Sequence, residues 1–180
     1  IKDYKKMITM SFKEIGNIVM VIGKTEGHID QSLFARSILN EKNGPPPEIN
    51  LFNEKNNGES LLNLIQKGHI KSAHDISLWG IITAVSKMCI KGDKGIKLNR
   101  SKNLINEIEY LFAEDQGRYI IEISPKDLKV VSKILDQNSV HHEELGIIIE
   151  KDLIINQKTK VTIDELKSYN SNWLTNFMSA

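Results

Sequence analysis

Two short polar stretches lie where apolar segments begin or end, and their side chains are of types that bind small anions or substrates. In the first stretch, Asp75 and Ser77 directly precede an almost wholly apolar run that begins at Leu78. Carboxylate and hydroxyl oxygens in this position accept hydrogen bonds from the free N–H groups of a helix start. The pattern predicts that Asp75 and Ser77 cap a helix and that a small anion or substrate pocket lies beside them.

The second stretch is the acidic-amide triplet Glu114, Asp115 and Gln116. It interrupts the passage from a predicted helix to a predicted strand. Three consecutive polar side chains in such a loop either contact a ligand or satisfy the polar groups of the loop itself. The residues alone leave both interpretations open.

A third polar group follows the first predicted strand. Residues 24–28 lead into Gln31, Ser32 and Arg36. A polar turn before a helix N-terminus suits an anion, because free N–H groups and the helix dipole both favour negative charge. Phosphate contact through Lys24, Ser32 and Arg36 is therefore one hypothesis, and a purely structural loop is the other.

The histidines offer weaker signals. His74 and Asp75 resemble a general acid/base pair, since imidazole titrates near neutral pH and a carboxylate can fix its tautomer. Adjacent residues of a strand point to opposite faces, however, which favours a packed His74 and a helix-capping Asp75. The other four histidines lack the spacing with a third ligand that would indicate zinc; they are His28, His69, His141 and His142. We predict no metal ligand and no catalytic residue in this chain.

Composition indicates a globular domain that binds neither nucleic acid nor membrane. The 180 residues are 40% hydrophobic and 26% charged, and 24 lysines and arginines balance 23 acidic residues. The basic residues are interspersed with acidic ones, so no surface of one sign is predicted. The single cysteine, Cys89, lies in the apolar run, and we interpret it as a buried thiol of a cytoplasmic protein. Because the chain starts at Ile1, we expect a piece of a longer protein.

Hydrophobic periodicity and turn residues predict one α+β domain of layered α/β type, with a mixed sheet flanked by helices. Strands are predicted over 17–23, 70–74, 96–98, 119–123, 143–150, 153–156 and 159–163. Helices are predicted over 31–40, 58–67, 78–91 and 100–112, and from residues 125 and 164 onward. Ser124 is the expected cap of the helix that starts at Pro125. We interpret Trp79 and Trp173 as core or interface aromatics.

Five motifs, in order along the chain, resemble those of the phosphoribosylformylglycinamidine synthases. They are Ile22-Gly23-Lys24-Thr25-Glu26-Gly27-His28, Gln31-Ser32-Leu33, Gly44-Pro45-Pro46-Pro47, Ala73-His74-Asp75-Ile76-Ser77 with Gly80, and Phe112-Ala113-Glu114-Asp115-Gln116. The terminal Trp173-Leu174-Thr175-Asn176-Phe177-Met178 also resembles that family's C-terminus. Over nearly its whole length the chain is similar to the second C-terminal domain of the family's large subunit.

This resemblance implies the mixed sheet of the aminoimidazole ribonucleotide synthetase C-terminal domain. It also implies a whole enzyme that converts formylglycinamide ribonucleotide, ATP and glutamine-derived ammonia to the amidine, ADP and phosphate. ATP and Mg²⁺ would belong to that full-length enzyme. The implied partners are a preceding ATP-binding domain in the same chain, to which residues 1–16 would lead, and a glutaminase domain or subunit that supplies ammonia.

The resemblance implies a structural role for this segment. A phosphate-cradling glycine-rich loop with Lys-Ser/Thr is missing from the sequence, so the segment alone should be inactive. Residues 114–116 would be the counterpart of a substrate-contacting triplet in the first C-terminal domain. Relatives commonly have Asp-Gly-Gly where this chain has Leu78-Trp79-Gly80, and glycine where it has Asp30. Bulk at these positions disfavours close approach of backbone to phosphate.

Two other hypotheses stay open. The chain could be a non-catalytic interaction or scaffold domain, in which case exposure of Leu78, Trp79 and the 7–12 lead would mark a docking surface or self-association. It could also be another superfamily member, such as a selenophosphate synthetase. The proline-rich loop and the terminal Trp173-Leu174 argue against that member.

Overall fold

Seven strands form one mixed sheet in the computed structural model, which describes residues 3–99 and 105–179. The strands are β1 (Ile18–Ile22), β2 (Ile70–Asp75), β3 (Gly95–Leu98), β4 (Tyr119–Ile123), β5 (His142–Ile149), β6 (Leu153–Ile155) and β7 (Thr159–Val161). Their order is β2-β4-β1-β5-β3-β6-β7. Only β3 and β6 pair in parallel, and the other neighbours are antiparallel. The predicted mixed sheet is confirmed.

Helices cover both faces of this sheet. They are α1 (Leu51–Gln66), α2 (Gly80–Gly92), α3 (Glu107–Phe112), α4 (Leu128–Gln137) and α5 (Ile163–Met178). All five residues of β1 are buried, because successive side chains of a strand enter opposite layers. Val19 and Val21 pack with α2, α3 and the start of α5, whereas Met20 packs with α1 and α4. The predicted α+β layering is confirmed.

The segment before β1 belongs to this packing. Phe12 is 2% exposed and joins the apolar cluster under α2, and Ile8 packs against the opposite cluster. Next to Phe12, the N–H groups of Lys13 and Glu14 donate to the carboxylate of Glu122 in β4. Residues 8–17 are thus tied to the sheet by both apolar and polar contacts.

Two helix predictions are wrong in extent. The helix predicted over 31–40 is reduced to a short π-helical turn, Ala35–Leu39. Gln31 has a positive φ of 60°, which a helix interior does not accommodate. The helix predicted from Gly58 starts at Leu51, because the Asn50 side chain caps it by accepting from the Asn53 N–H.

Other boundaries also differ. α2 begins at Gly80 rather than Leu78, since Trp79 is left-handed with φ 65°. α3 begins at Glu107; residues 100–104 of the predicted helix lie outside the described residues. α5 begins at Ile163 behind a Thr162–Glu165 capping box, which ends the preceding strand early.

Three smaller predictions have mixed outcomes. The Ser124 side chain makes no cap hydrogen bond, and Pro125 opens a 3-10 turn that leads into α4. Cys89 is fully buried in α2, as expected. Trp173 lies outside the core, with 61% of its surface exposed. Within the described part of the chain, no helix combines the length and apolar character that a membrane crossing requires.

Candidate functional site

The three polar stretches of the sequence meet in space, and Glu114 is the first point of contact. Its Oε1 accepts hydrogen bonds from the N–H of Leu33, at 3.0 Å, and the N–H of Trp79, at 2.9 Å. The first donor precedes the π-helical turn, and the second directly precedes α2. One carboxylate therefore joins the starts of two helical segments, which is the arrangement that favours negative charge.

Asp115 makes a second junction with the loop after β1. Its Oδ2 accepts from the N–H of Glu26 at 3.0 Å and of Gly27 at 3.2 Å, and its Oδ1 accepts from the N–H of His28 at 3.1 Å. Only 8% of Asp115 is exposed. The N–H groups that the sequence offered to an external anion are thus bound by a carboxylate of the same chain.

A buried arginine, which sequence reasoning missed, lies behind this carboxylate. Arg118 is 1% exposed, and its guanidinium donates to the carbonyl oxygens of Asp115 and Ala113 and to Oγ1 of Thr25. Its Nη1 is 3.7 Å from Oδ2 of Asp115. Burial lowers the pKa of Arg118, and the charge of Asp115 opposes that change. An arginine directly before an apolar strand was the only signal in the sequence.

An open cleft of about 1090 Å³ lies in front of this junction. Its walls are the loop after β1, the proline-rich loop, the first turns of α1 and the loop before β4; the lining residues include Lys24, Glu26, Gly27, His28, Pro45, Pro46, Pro47, Asn50, Asn53, Glu54, Asn57, Asp115 and Gln116. Three of the predicted site residues are therefore in the cleft. They are Lys24, Asp115 and Gln116.

Polar groups at the mouth of the cleft are also partnered within the chain. Lys24 Nζ lies 2.8 Å from Oε1 of Glu26, and this contact raises the pKa of Lys24. The Gln116 amide donates to the Glu114 carbonyl, and His28 Nε2 lies 2.9 Å from the Pro45 carbonyl oxygen. Lys24 and Gln116 are exposed, so both side chains can exchange these partners for a ligand.

The other predicted site residues do not line the cleft. Ser32 is buried, and its Oγ accepts from the Ala35 N–H. Arg36 donates to Oε1 of Gln31 at the surface. Their predicted contact with phosphate has no support from these positions.

The prediction that Asp75 and Ser77 cap α2 is wrong. The Asp75 carboxylate is turned back to His74, with 2.9 Å between Nδ1 and Oδ1, and Ser77 contributes only its carbonyl oxygen, to the Gly80 N–H. Glu114 takes the capping position instead. The expectation that His74 and Asp75 point apart is also wrong, because Asp75 is the last residue of β2 and its side chain can fold back.

Gly80 fixes the distance between the start of α2 and the loop that carries Glu114. It has φ +66°, and a Cβ at this position would lie 2.6 Å from the carbonyl oxygens of both Leu111 and Ala113. Glycine is required here for its backbone angle and for the close approach. This contact keeps the Trp79 N–H within reach of Glu114.

A metal centre has no basis in the described residues, where no three His, Cys, Asp or Glu side chains are grouped to hold an ion. Oε1 of Glu114 and both carboxylate oxygens of Asp115 accept from N–H donors instead. The N–H groups at this junction are therefore paired with carboxylates of the same chain.

Residues 14–156 match the family described as AIR synthase related protein, C-terminal domain. The chain belongs to this family. Among curated proteins, it is 69% identical over 178 residues to the phosphoribosylformylglycinamidine synthase subunit PurL of Pelagibacter ubique, covering 99% of this chain and 24% of that protein. The same subunit of Bartonella henselae is 36% identical over 98% of the chain and 24% of its own length. The resemblance found in the motifs is confirmed, and the chain spans about a quarter of the length of these relatives.

The solved structures with a similar fold include PurL and also a different enzyme. T. maritima PurL complexed with FGAR aligns with a TM-score of 0.78 at 18% identity, over 91% of this chain and 30% of that one. Thiamine-monophosphate kinase of Stenotrophomonas maltophilia aligns with a TM-score of 0.59 at 10% identity, over 83% of this chain and 52% of that one. These similarities show the fold alone.

Proposed function

We propose that this chain is the second C-terminal domain of a phosphoribosylformylglycinamidine synthase large subunit. The complete protein would be an ATP-dependent ligase of purine synthesis that converts formylglycinamide ribonucleotide to formylglycinamidine ribonucleotide, in the cytoplasm. Support comes from 69% identity to a PurL subunit across 99% of the chain. A preceding domain of the same polypeptide would hold ATP and Mg²⁺, and a glutaminase domain or subunit would supply ammonia from glutamine.

Within that enzyme the domain would have a structural role. The observation that carries this part of the proposal is the use of five backbone N–H groups by Glu114 and Asp115. Hydrogen-bond donors already bound to internal carboxylates cannot stabilise charge on a reacting group. Lys24 and Gln116 keep side chains available for weak contact with a ligand, and neither is placed as an acid, a base or a nucleophile.

A non-catalytic docking domain is the second candidate. Leu78 is 58% exposed, and the later turns of α5 expose Tyr169, Trp173 and Phe177 by 79%, 61% and 73%. Exposed apolar side chains at this density are typical of interaction surfaces. This role is compatible with the enzyme assignment, since a structural domain of a large subunit must contact its neighbours.

A domain exchange tests the proposal. The matching quarter of Pelagibacter ubique PurL would be replaced by these 180 residues, and amidine formation would be measured with formylglycinamide ribonucleotide, ATP and ammonium chloride. Ammonium chloride removes the need for a glutaminase partner. We expect the exchanged enzyme to keep activity close to that of its parent. A protein with this quarter deleted is the negative control.

The exchange also has a clear negative outcome. An exchanged enzyme that unfolds cooperatively at the parent's temperature, yet forms no amidine, would contradict the assignment. If the exchanged enzyme is active with ammonium chloride but not with glutamine, only its contact with the glutaminase is impaired.

A further inference from the structure

The loop after β1 forms a cradle for an oxyanion, and a side chain of the same domain fills it. Three consecutive N–H groups, those of Glu26, Gly27 and His28, converge on one carboxylate within 3.0–3.2 Å. The guanidinium of Arg118 adds a buried positive charge 3.7 Å from that carboxylate. Convergent backbone N–H groups with an arginine behind them form the usual protein environment for phosphate and related anions.

We propose that Asp115 acts as an internal anion that closes this cradle to phosphate groups. A phosphate that entered the cleft would find the Asp115 carboxylate in the cradle, and the three N–H groups of the cradle would already be donating to it. Asp115 lines the cleft, so its oxygens mark the position that an incoming anion would take. A cradle closed in this way fits the structural role proposed for the domain, but it depends on the geometry of the loop and not on the reaction of the whole enzyme.

Other contacts hold the cradle in shape without Asp115. The His28 carbonyl accepts from the Glu114 N–H at 3.1 Å, and Thr25 Oγ1 accepts from Arg118 at 3.0 Å. Gly27 has φ +86°, and a Cβ there would lie 2.7 Å from Cγ2 of Ile105, so the loop is packed closely against its neighbour. The three N–H groups would therefore remain aligned if the carboxylate were shortened to a neutral side chain.

Lys24 makes the opened cradle more favourable for an anion. Its exposed ammonium lies at the mouth of the cleft, and the charge of Asp115 contributes to the raised pKa of Lys24. Removal of Asp115 would take away the carboxylate nearest to Arg118, while Glu26 would still pair with Lys24 and Glu143 would still act on Arg118. The ligand class is thus a small tetrahedral oxyanion, represented by inorganic phosphate.

The test compares the wild-type complete protein with Asp115→Ser and Asp115→Asn. Serine opens the cradle, whereas asparagine keeps its volume filled and removes the charge. Binding of inorganic phosphate would be measured by calorimetry at constant ionic strength, and phosphate bound at other sites cancels between variants. We expect one additional phosphate site in Asp115→Ser, bound about tenfold or more tightly than by Asp115→Asn, and no such site in the wild type.

Two further measurements make the result decisive. The additional site should disappear in the double variant Asp115→Ser, Arg118→Met, and a wild-type crystal soaked in tungstate should show no anion beside residues 26–28. A cooperatively unfolding Asp115→Ser protein without the added site, or a wild-type anion at the cradle, would overturn the proposal. If Asp115→Ser does not fold, the tungstate soak still decides it. Amidine formation measured in parallel reports on the enzyme assignment separately.

Discussion

Replacement of Glu122 by alanine should be among the most destabilising single changes in this domain. Glu122 is fully buried in β4, and its carboxylate accepts four hydrogen bonds, from the N–H of Lys13 and of Glu14, from Nδ2 of Asn17 and from Oγ of Ser72. Two of these donors, in Asn17 and Ser72, are themselves buried and lie 2.7 Å from the carboxylate. Alanine would leave both without a partner.

The size of the effect follows from these contacts. Each buried donor that loses its acceptor costs about 1–3 kcal/mol, and the sum counts only Asn17 and Ser72 because Lys13 and Glu14 are exposed residues. The two buried donors give a loss of about 2–6 kcal/mol in the free energy of unfolding. A typical domain has only about 5–15 kcal/mol, so the variant should be close to unfolding.

Urea unfolding followed by tryptophan fluorescence would measure this loss. Glu144→Ala is the matched control, since Glu144 is an exposed glutamate of β5 and should change stability by no more than about 0.5 kcal/mol. Ser72→Ala should weaken the effect of Glu122→Ala in the double variant, because it removes one of the unpaired donors. A loss below about 1 kcal/mol for Glu122→Ala would refute the assigned role of the four hydrogen bonds.

Three other predictions concern the thiol, the turn before α2 and the surface of α5. Burial raises the pKa of the Cys89 thiol from 9.0 to about 12, so stability should be complete below pH 9 and fall between pH 9 and 12, by up to about 1.4 kcal/mol per pH unit. Urea unfolding should show that Cys89→Ala lacks this alkaline loss, and equal slopes would contradict the assignment. Gly80→Ala should destabilise the domain more than Gly68→Ala, by about 1–3 kcal/mol in thermal unfolding, because both glycines have positive φ but, of the two, only Gly80 would place its Cβ against backbone oxygens. Simultaneous replacement of Tyr169, Trp173 and Phe177 by serine should reduce self-association of the chain in sedimentation experiments. Unchanged association would show that the contact lies elsewhere.

The sequence predicted elements best where one physical signal dominated. β4 has the predicted bounds because an apolar run there is closed by Ser124-Pro125, and β1 differs from its prediction only at the ends. The 31–40 helix was mispredicted because side-chain bonds from Gln31 to the carbonyls of Lys42 and Gly44 stabilise a left-handed turn. Hydrogen bonds of this kind, between residues 11 and 13 positions apart, do not alter the hydrophobic periodicity from which helices are predicted.

The candidate site was also only partly predictable from the sequence. The three polar stretches that the motifs singled out contact one another in the structure, whereas their role in ligand binding stays a prediction. The motifs could not show that Glu114 and Asp115 accept the N–H groups of the other two stretches, because the same residues serve a ligand site and an internal junction equally well. Arg118 and Glu122 were missed for a related reason: a buried charge is recognised only when its partners are known, and those partners lie up to 109 residues away.

The attachment of residues 8–17 to the sheet decides where this domain can be divided from its neighbours. The family match begins at residue 14, yet Phe12 is buried and the Lys13 N–H is one of the donors to Glu122. A domain that began at residue 14 would lack Phe12, which packs in the cluster under α2, and Lys13, whose N–H donates to Glu122. Recombination between relatives should therefore succeed only when its junction lies before Ile8, so the exchangeable unit is longer than the segment by which the family is recognised.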